Sequence, residues 1–348
     1  MKAVIVTGQG SPVADNIRFV SDWPDLREPG TGEVRIRTLC SAFNQMDLWV
    51  GRGVPGLKLE YPRVSGCDAC GVVERAGPGV DPAWVGRRVI VNAAVEQPLR
   101  QHPDDPPGST LAPQYELIGE HHNGMHAEAF LAPAANLADV GDADPAKAAA
   151  FGLVTLTAYS GMITKAGLRP GQTVLITGIG GGVATAAAYI ARWLGCRIAV
   201  TSRHTAKLER ARTLFGAECL IHDQGQDWSK EVRAWTSKRG VDLAFDSSGK
   251  ATHLNCIKSL ARGGAYVTPG ATSGPDATTD LARLFWNQLR LYGTTMGSSD
   301  EFREIARLLR AGALDAVVDS VTPAEEAVAA YRRLEASEQF GKLVLRWA

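Results

Sequence analysis

The rhythm of apolar and polar positions changes once along this chain, near residue 150. Before it, short β-rich runs at Lys2 to Thr7, Glu33 to Leu39, Gly71 to Glu74 and Arg88 to Asn92 lie between Gly/Pro turns. With no sustained helical spacing among them, they predict a twisted, mostly antiparallel β domain. From about Thr155, strand-like and helix-like segments alternate: TVLITG, VATAAAYIARWLG, RIAVTS, AKLERARTLFG, CLIHD, VDLAFDSSG and AYVTPG. That alternation predicts a parallel sheet with right-handed crossovers. In the first helix Val183, Ala187, Ile190 and Leu194 recur at helical spacing, and Gly195 is placed to cap its C-terminus. After Gly270 the pattern predicts an amphipathic helix over Asp300 to Ala311 and a closing strand, Lys342 to Arg346, that rejoins the N-terminal β domain. Gln97 to Pro113, rich in Pro, Asp and Gly, reads as a long irregular excursion.

Composition narrows the partners. The 348 residues are enough for two domains, and 37 basic against 37 acidic side chains leave no basic footprint for nucleic acid. Six cysteines are too few for a disulfide scaffold, and MKAVIVTGQG enters a strand pattern directly, without a signal-peptide pattern, so a cytoplasmic location is expected. Pro170 to Ala191 carries no charge, but Gly178, Gly180, Gly181 and Gly182 interrupt it, and no membrane partner is expected.

The 37 glycines are an excess, and part of it falls in one place. Directly after TVLIT comes Gly178-Ile179-Gly180-Gly181-Gly182-Val183-Ala184, opening the next helix. The spacing Gly178-x-x-Gly181-x-x-Ala184 fits a dinucleotide fingerprint, in which the helix start at Gly182 and Val183 offers free N–H groups to a pyrophosphate. At the end of the second strand an NAD site would carry an acid for the ribose hydroxyls, whereas this chain has Ser202-Arg203. Arg203 suits the 2′-phosphate of NADP(H), with Lys207 either assisting or simply solvated on its helix.

With these residues in view, the chain resembles the medium-chain dehydrogenase/reductase superfamily, both its zinc-type alcohol dehydrogenases and its zinc-independent quinone oxidoreductases. The resemblance rests on Lys2-Ala3-Val4, Asn44-Gln45-Met46-Asp47, Gly66-Cys67-Asp68 leading to Gly71-Val72-Val73-Glu74, the glycine loop, and Gly341-Lys342-Leu343-Val344-Leu345. Phe285-Trp286-Asn287-Gln288-Leu289 and Gly293-Thr294-Thr295-Met296-Gly297-Ser298 resemble one bacterial branch. The resemblance implies an α/β protein: a GroES-like, mostly β catalytic domain over 1–150 and 292–348, and a Rossmann doubly wound parallel-sheet domain over 151–291. It also implies a homodimer joined at the sheet edge that follows Gly270.

The chain departs from the alcohol dehydrogenase pattern at the metal. The positions that match that family's three zinc ligands read Asn44, Cys67 and Leu153, and a catalytic zinc needs three N, S or O protein donors. No zinc is therefore expected. The stretch Glu96 to Gln114, which matches the structural zinc lobe, has no cysteine. Cys67-x-x-Cys70 reads as two small buried residues, and the histidines at 102, 121, 122 and 126 as surface residues. Trp49 and Trp286 read as core.

A nicotinamide beside a pocket without a Lewis acid still reduces electrophiles that delocalise the incoming charge, namely quinones and α,β-unsaturated carbonyls. The expectation is thus a reductase of a small carbonyl or quinone substrate. Asn44 either donates an amide hydrogen bond to the substrate carbonyl or forms a buried turn; Asp47 either holds this loop or orients a water. Tyr61 supplies a proton, stacks on a ring, or packs at the surface. Thr157 resembles a family position beside the nicotinamide, and Gly270 would let the ring approach a strand end. The alternatives are an alcohol dehydrogenase with rebuilt metal ligation and an NADPH-binding protein without chemistry.

Overall fold

Alternating apolar residues of the Glu33–Ala42 strand are buried on one side, and around this strand the N-terminal β domain assembles. The computed structural model describes residues 1–54, 56–95, 110–111 and 115–347, and the chain divides into two units, 1–153 with 298–348 and 154–297. The predicted excursion and His102 lie outside the described residues, Thr110 and Leu111 apart.

In the first unit Glu33–Ala42 pairs antiparallel with Ala69–Ala76, with Ala129–Pro133 and with the closing strand Lys342–Arg346. The C-terminal strand therefore rejoins the β domain, in the register Val344 to Ala42. Buried Val6, Ile17, Phe43, Leu48, Tyr331 and Leu345 form one apolar core beneath it. The amphipathic helix runs Ser299–Arg310 and starts at a reciprocal cap, Glu301 N–H to Ser298 Oγ at 3.2 Å and Ser298 N–H to Glu301 Oε2 at 2.7 Å.

The second unit is a six-stranded sheet in the order Cys219–His222, Arg197–Ser202, Thr173–Ile176, Val241–Phe245, Leu260–Thr268, Arg290–Gly293. Every neighbouring pair is parallel. Numbered along the chain the order is 3-2-1-4-5-6, the doubly wound arrangement whose switch point lies between its first and fourth strands. Because Arg290–Gly293 pairs with Leu260–Thr268, residues 292–297 belong to this unit rather than to the β domain where the sequence analysis put them. The Pro145–Lys165 helix is long and apolar enough to cross a bilayer by length and composition, but 72% of its most apolar 18 residues is buried inside the protein, as in a core helix.

Candidate active site

In the first unit the Glu33–Ala42 strand runs into Phe43-Asn44 and then the Gln45–Arg52 helix, while residues 66–68 lead into the adjacent Ala69–Ala76 strand. This geometry brings Asn44, Asp47, Cys67 and Asp68 together with Lys342 of the closing strand, all of them buried. Lys342 Nζ donates to Asn44 Oδ1 at 2.6 Å and to Asp68 Oδ2 at 2.9 Å. The Asn44 amide nitrogen donates to Cys67 Sγ at 3.2 Å and to Asp68 Oδ2 at 2.9 Å. The other Asp68 oxygen accepts the Leu153 N–H at 2.9 Å, and a Cβ on Gly152 would stand 2.9 Å from it, so a larger residue there would push on the Asp68 carboxylate. An amide has two N–H hydrogens, and both have acceptors here. Donation from Asn44 to a substrate would first have to break one of these bonds.

Asp47 lies one helical turn on and accepts the Asn44 N–H at 2.7 Å, holding the helix start. Its other oxygen is 3.7 Å from His126 Nε2, and among the described residues neither atom has a hydrogen-bond partner. The opposite ring nitrogen of His126 meets Ser41 Oγ at 2.7 Å. Burial raises the Asp47 carboxyl to about 7 against the hydrogen bonds from Asn44 and Gly66 and the pull of Lys342. Burial, helped by the Lys342 charge, lowers His126 to about 3. At neutral pH the imidazole is therefore neutral and the contact is not an ion pair. His126 was expected at the surface; it is fully buried because the chain before Ala129–Pro133 turns inward under Ser41.

This donor set does not fit a catalytic zinc. Of the three matched positions only Cys67 is a good ligand, and burial followed by the charges of Asp47 and Asp68 pushes its thiol far above the ordinary range, against the thiolate a metal needs. Asn44 is an amide tied at both ends, and Leu153 offers only its backbone N–H to Asp68. Among the described residues no group of three or more His, Cys, Asp or Glu side chains is placed to hold a metal.

The rest of the expected set in this unit is less concentrated. The Tyr61 hydroxyl donates to the Val50 carbonyl at 2.5 Å and its ring packs on the apolar core. Cys67 and Cys70 are both fully buried, Cys70 within a strand opposite Cys40. Trp49 and Trp286, expected in the core, are 43% and 69% exposed. Sequence reasoning missed Lys342, although a lysine inside the apolar run KLVL is the signal of a buried partner.

In the second unit, Gly178 and Gly180 take φ of +62° and +115°, and Gly181 caps the Gly182–Trp193 helix without any side-chain cap. The N–H groups of Gly182, Val183 and Ala184 precede the first intrahelical bond, so this end is a ready anion site. Thr177, just ahead of the loop, donates to the buried Asp246 at 2.6 Å, and Thr252 and Tyr266 donate to the same carboxylate at 2.7 and 2.9 Å. Asp246, unnoticed in the sequence, thus ties the loop to the neighbouring strand. Ser202 ends the second strand, with its Oγ accepting the His204 N–H at 3.1 Å, and Arg203 is exposed beyond it. Lys207 lies in the first turn of the Thr205–Phe215 helix. Thr157 is buried on the Pro145–Tyr159 helix just before a π-helical turn at Ser160–Lys165, a distortion common at functional sites. At Gly270 an added Cβ would meet, among the described residues, only the Ser247 carbonyl oxygen, at 3.9 Å. These features suit a dinucleotide laid across the carboxyl ends of the strands.

Residues 182–311 match the zinc-binding dehydrogenase family and residues 30–142 the alcohol dehydrogenase GroES-like domain. The chain is 28% identical over 338 residues, 91% of each chain, to a zinc-type alcohol dehydrogenase-like protein YogA of Leptosphaeria maculans. It is 29% identical over 359 residues to a 2-haloacrylate reductase of a Burkholderia species, covering 99% of this chain and 98% of that one. A solved NAD-dependent alcohol dehydrogenase superposes with a TM-score of 0.91 at 37% identity over 99% of both chains.

Proposed function

The chain belongs to the medium-chain dehydrogenase/reductase superfamily, and on that premise we propose that it is an NADPH-dependent oxidoreductase reducing an α,β-unsaturated carbonyl or a quinone without catalytic zinc. The observation that carries this reading is the closed cluster of Asn44, Cys67, Asp68 and Lys342 where a metal shell would need three donors. Without a Lewis acid, and with the raised Asp47 carboxyl buried and engaged by the Asn44 N–H, this cluster is not set up to deprotonate an alcohol near neutral pH. An enone or quinone takes a hydride without that help, because the charge delocalises onto oxygen. The 2-haloacrylate reductase relative supports the reading, since its name denotes reduction of a conjugated alkene.

The bound nicotinamide dinucleotide supplies the hydride. The free N–H groups after Gly181 would hold its pyrophosphate, and Thr157 and Gly270 would border its ring. Ser202 and Arg203 favour a 2′-phosphate, whereas the relative described as NAD-dependent stands for the other choice. Asn44 and Asp47 keep the substrate loop rigid rather than reacting. Oxidation of NADPH and NADH against a panel of quinones, enones and simple aldehydes tests the proposal. NADPH-driven turnover of enones or quinones is expected; NAD-driven oxidation of simple alcohols that a chelator abolishes would overturn it.

The same reading includes a homodimer. The Leu281–Trp286 helix exposes Leu281, Phe285 and Trp286 at 68–69%, and Leu291 on the adjoining edge strand is 39% exposed. A second copy covers this apolar edge in a two-fold contact, pairing the open strand.

A further inference from the structure

The second and third strands of the parallel sheet end side by side, with Ser202 in register with His222. His222 Nε2 lies 3.1 Å from the carbonyl oxygen of Arg203. A carbonyl only accepts, so Nε2 carries the hydrogen and donates it. Two further bonds hold the same turn: the Asp223 N–H donates to the Ser202 carbonyl at 3.0 Å, and the His204 N–H donates to Ser202 Oγ at 3.1 Å. Ser202 at the strand end and the two residues beyond it are thereby fixed, and His222 supplies a bond that reaches the Arg203 peptide from a side chain of another strand.

One oxygen of the neighbouring acid is already engaged. Asp223 Oδ1 accepts the Gly225 N–H at 3.0 Å, within its own turn. The Ser202 hydroxyl, which accepts from His204, retains its hydrogen for donation, and the Arg203 guanidinium is exposed. A turn with an exposed guanidinium beside a largely buried hydroxyl, its backbone held by these bonds, fits a phosphate monoester better than a ribose diol.

Resting on the NADPH reading above, we propose that His222 is a positioning residue for cofactor choice: by holding the Arg203 carbonyl it sets the direction of the arginine toward the 2′-phosphate. Its effect is confined to ligands carrying that phosphate. A long side chain on an unanchored peptide would spread over more directions and lose part of the contact as ordering entropy.

The test is calorimetric titration of the whole protein with 2′,5′-ADP and with 5′-AMP, which share the adenosine and differ in the 2′-phosphate. His222→Ala should weaken 2′,5′-ADP by roughly 5- to 10-fold, the worth of one ordinary hydrogen bond, and leave 5′-AMP unchanged. His222→Gln, whose amide N–H can reach the same carbonyl, should recover most of the loss. Equal weakening of both ligands would mean that His222 only supports the fold, and the inference fails. Wild-type preference for 2′,5′-ADP that survives His222→Ala overturns the inference alone. A wild-type protein that does not prefer 2′,5′-ADP overturns it together with the NADPH reading.

Discussion

Lys342 and Asp68, 274 residues apart in the chain, meet with Nζ 2.9 Å from Oδ2 and with side-chain exposures of 4% and 2%. The ammonium also carries Asn44, so one cation organises the whole buried cluster. Lys342→Met leaves the Asp68 carboxylate uncompensated, and removing one partner of a buried pair costs about 3–5 kcal/mol. Denaturant unfolding should therefore shift strongly for Lys342→Met, and the double variant with Asp68→Asn should recover most of the loss. Additive losses in the double variant would show that the pair is not coupled.

Asp47 and His126 give opposite pH dependences in one contact. The Asp47 carboxyl rises from 3.8 to about 7 in the fold, so its contribution is fully present below about 4 and is lost as pH rises through 7. His126 falls from 6.5 to about 3, so its contribution is present above 6.5 and is lost as pH falls toward 3. Between pH 4 and 6.5 the two slopes cancel. Asp47→Asn should make stability rise with pH across that window by about 1.4 kcal/mol per pH unit, and His126→Gln should make it fall by a similar slope. Unfolding midpoints in urea at half-unit pH steps measure both; unchanged slopes in the two variants would refute the assignment.

The parallel sheet and its loop were legible because alternation and glycine spacing are local signals. The residues 178–184 pattern predicts the turn, the helix start and the free N–H groups, and all three are where the spacing puts them. The Asn44, Asp68 and Lys342 cluster was not legible, since its partners converge only when the last strand pairs with Glu33–Ala42. His126 went unrecognised for the same reason: nothing local distinguishes a buried imidazole from a surface one. Trp286 failed differently, because an exposed apolar face has the same sequence pattern as a buried one.

Cofactor choice is tested at Arg203. Arg203→Ala removes a charge-assisted contact to the 2′-phosphate and should weaken NADPH binding by about 1–3 kcal/mol, with NADH nearly unchanged. Fluorescence titration of the two cofactors checks this, and equal weakening of both would sink the NADPH assignment.

The apolar edge is tested by charge. Placing Asp at both Phe285 and Trp286 puts two carboxylates on the exposed Leu281–Trp286 face, where a dimer would have to desolvate them. Light scattering should give a dimer mass for the wild type at micromolar concentration and a monomer mass for the variant. A monomeric wild type refutes the homodimer.

The last prediction concerns the metal. Cys67 Sγ accepts a hydrogen bond from the Asn44 amide, and burial keeps its thiol protonated, so binding a divalent ion there would require losing that proton and displacing the amide beside the Lys342 ammonium. Each change opposes metal binding, and two further donors would still be missing. Prolonged dialysis against a chelator should leave NADPH-dependent reduction unchanged, and metal analysis of the purified protein should find well under one zinc per chain. Cys67→Ser, which keeps a small acceptor for the Asn44 amide, should cost little turnover. If chelation abolished activity, zinc restored it and Cys67→Ser prevented the restoration, then Cys67 would be a ligand and the closed cluster would have to open around a metal.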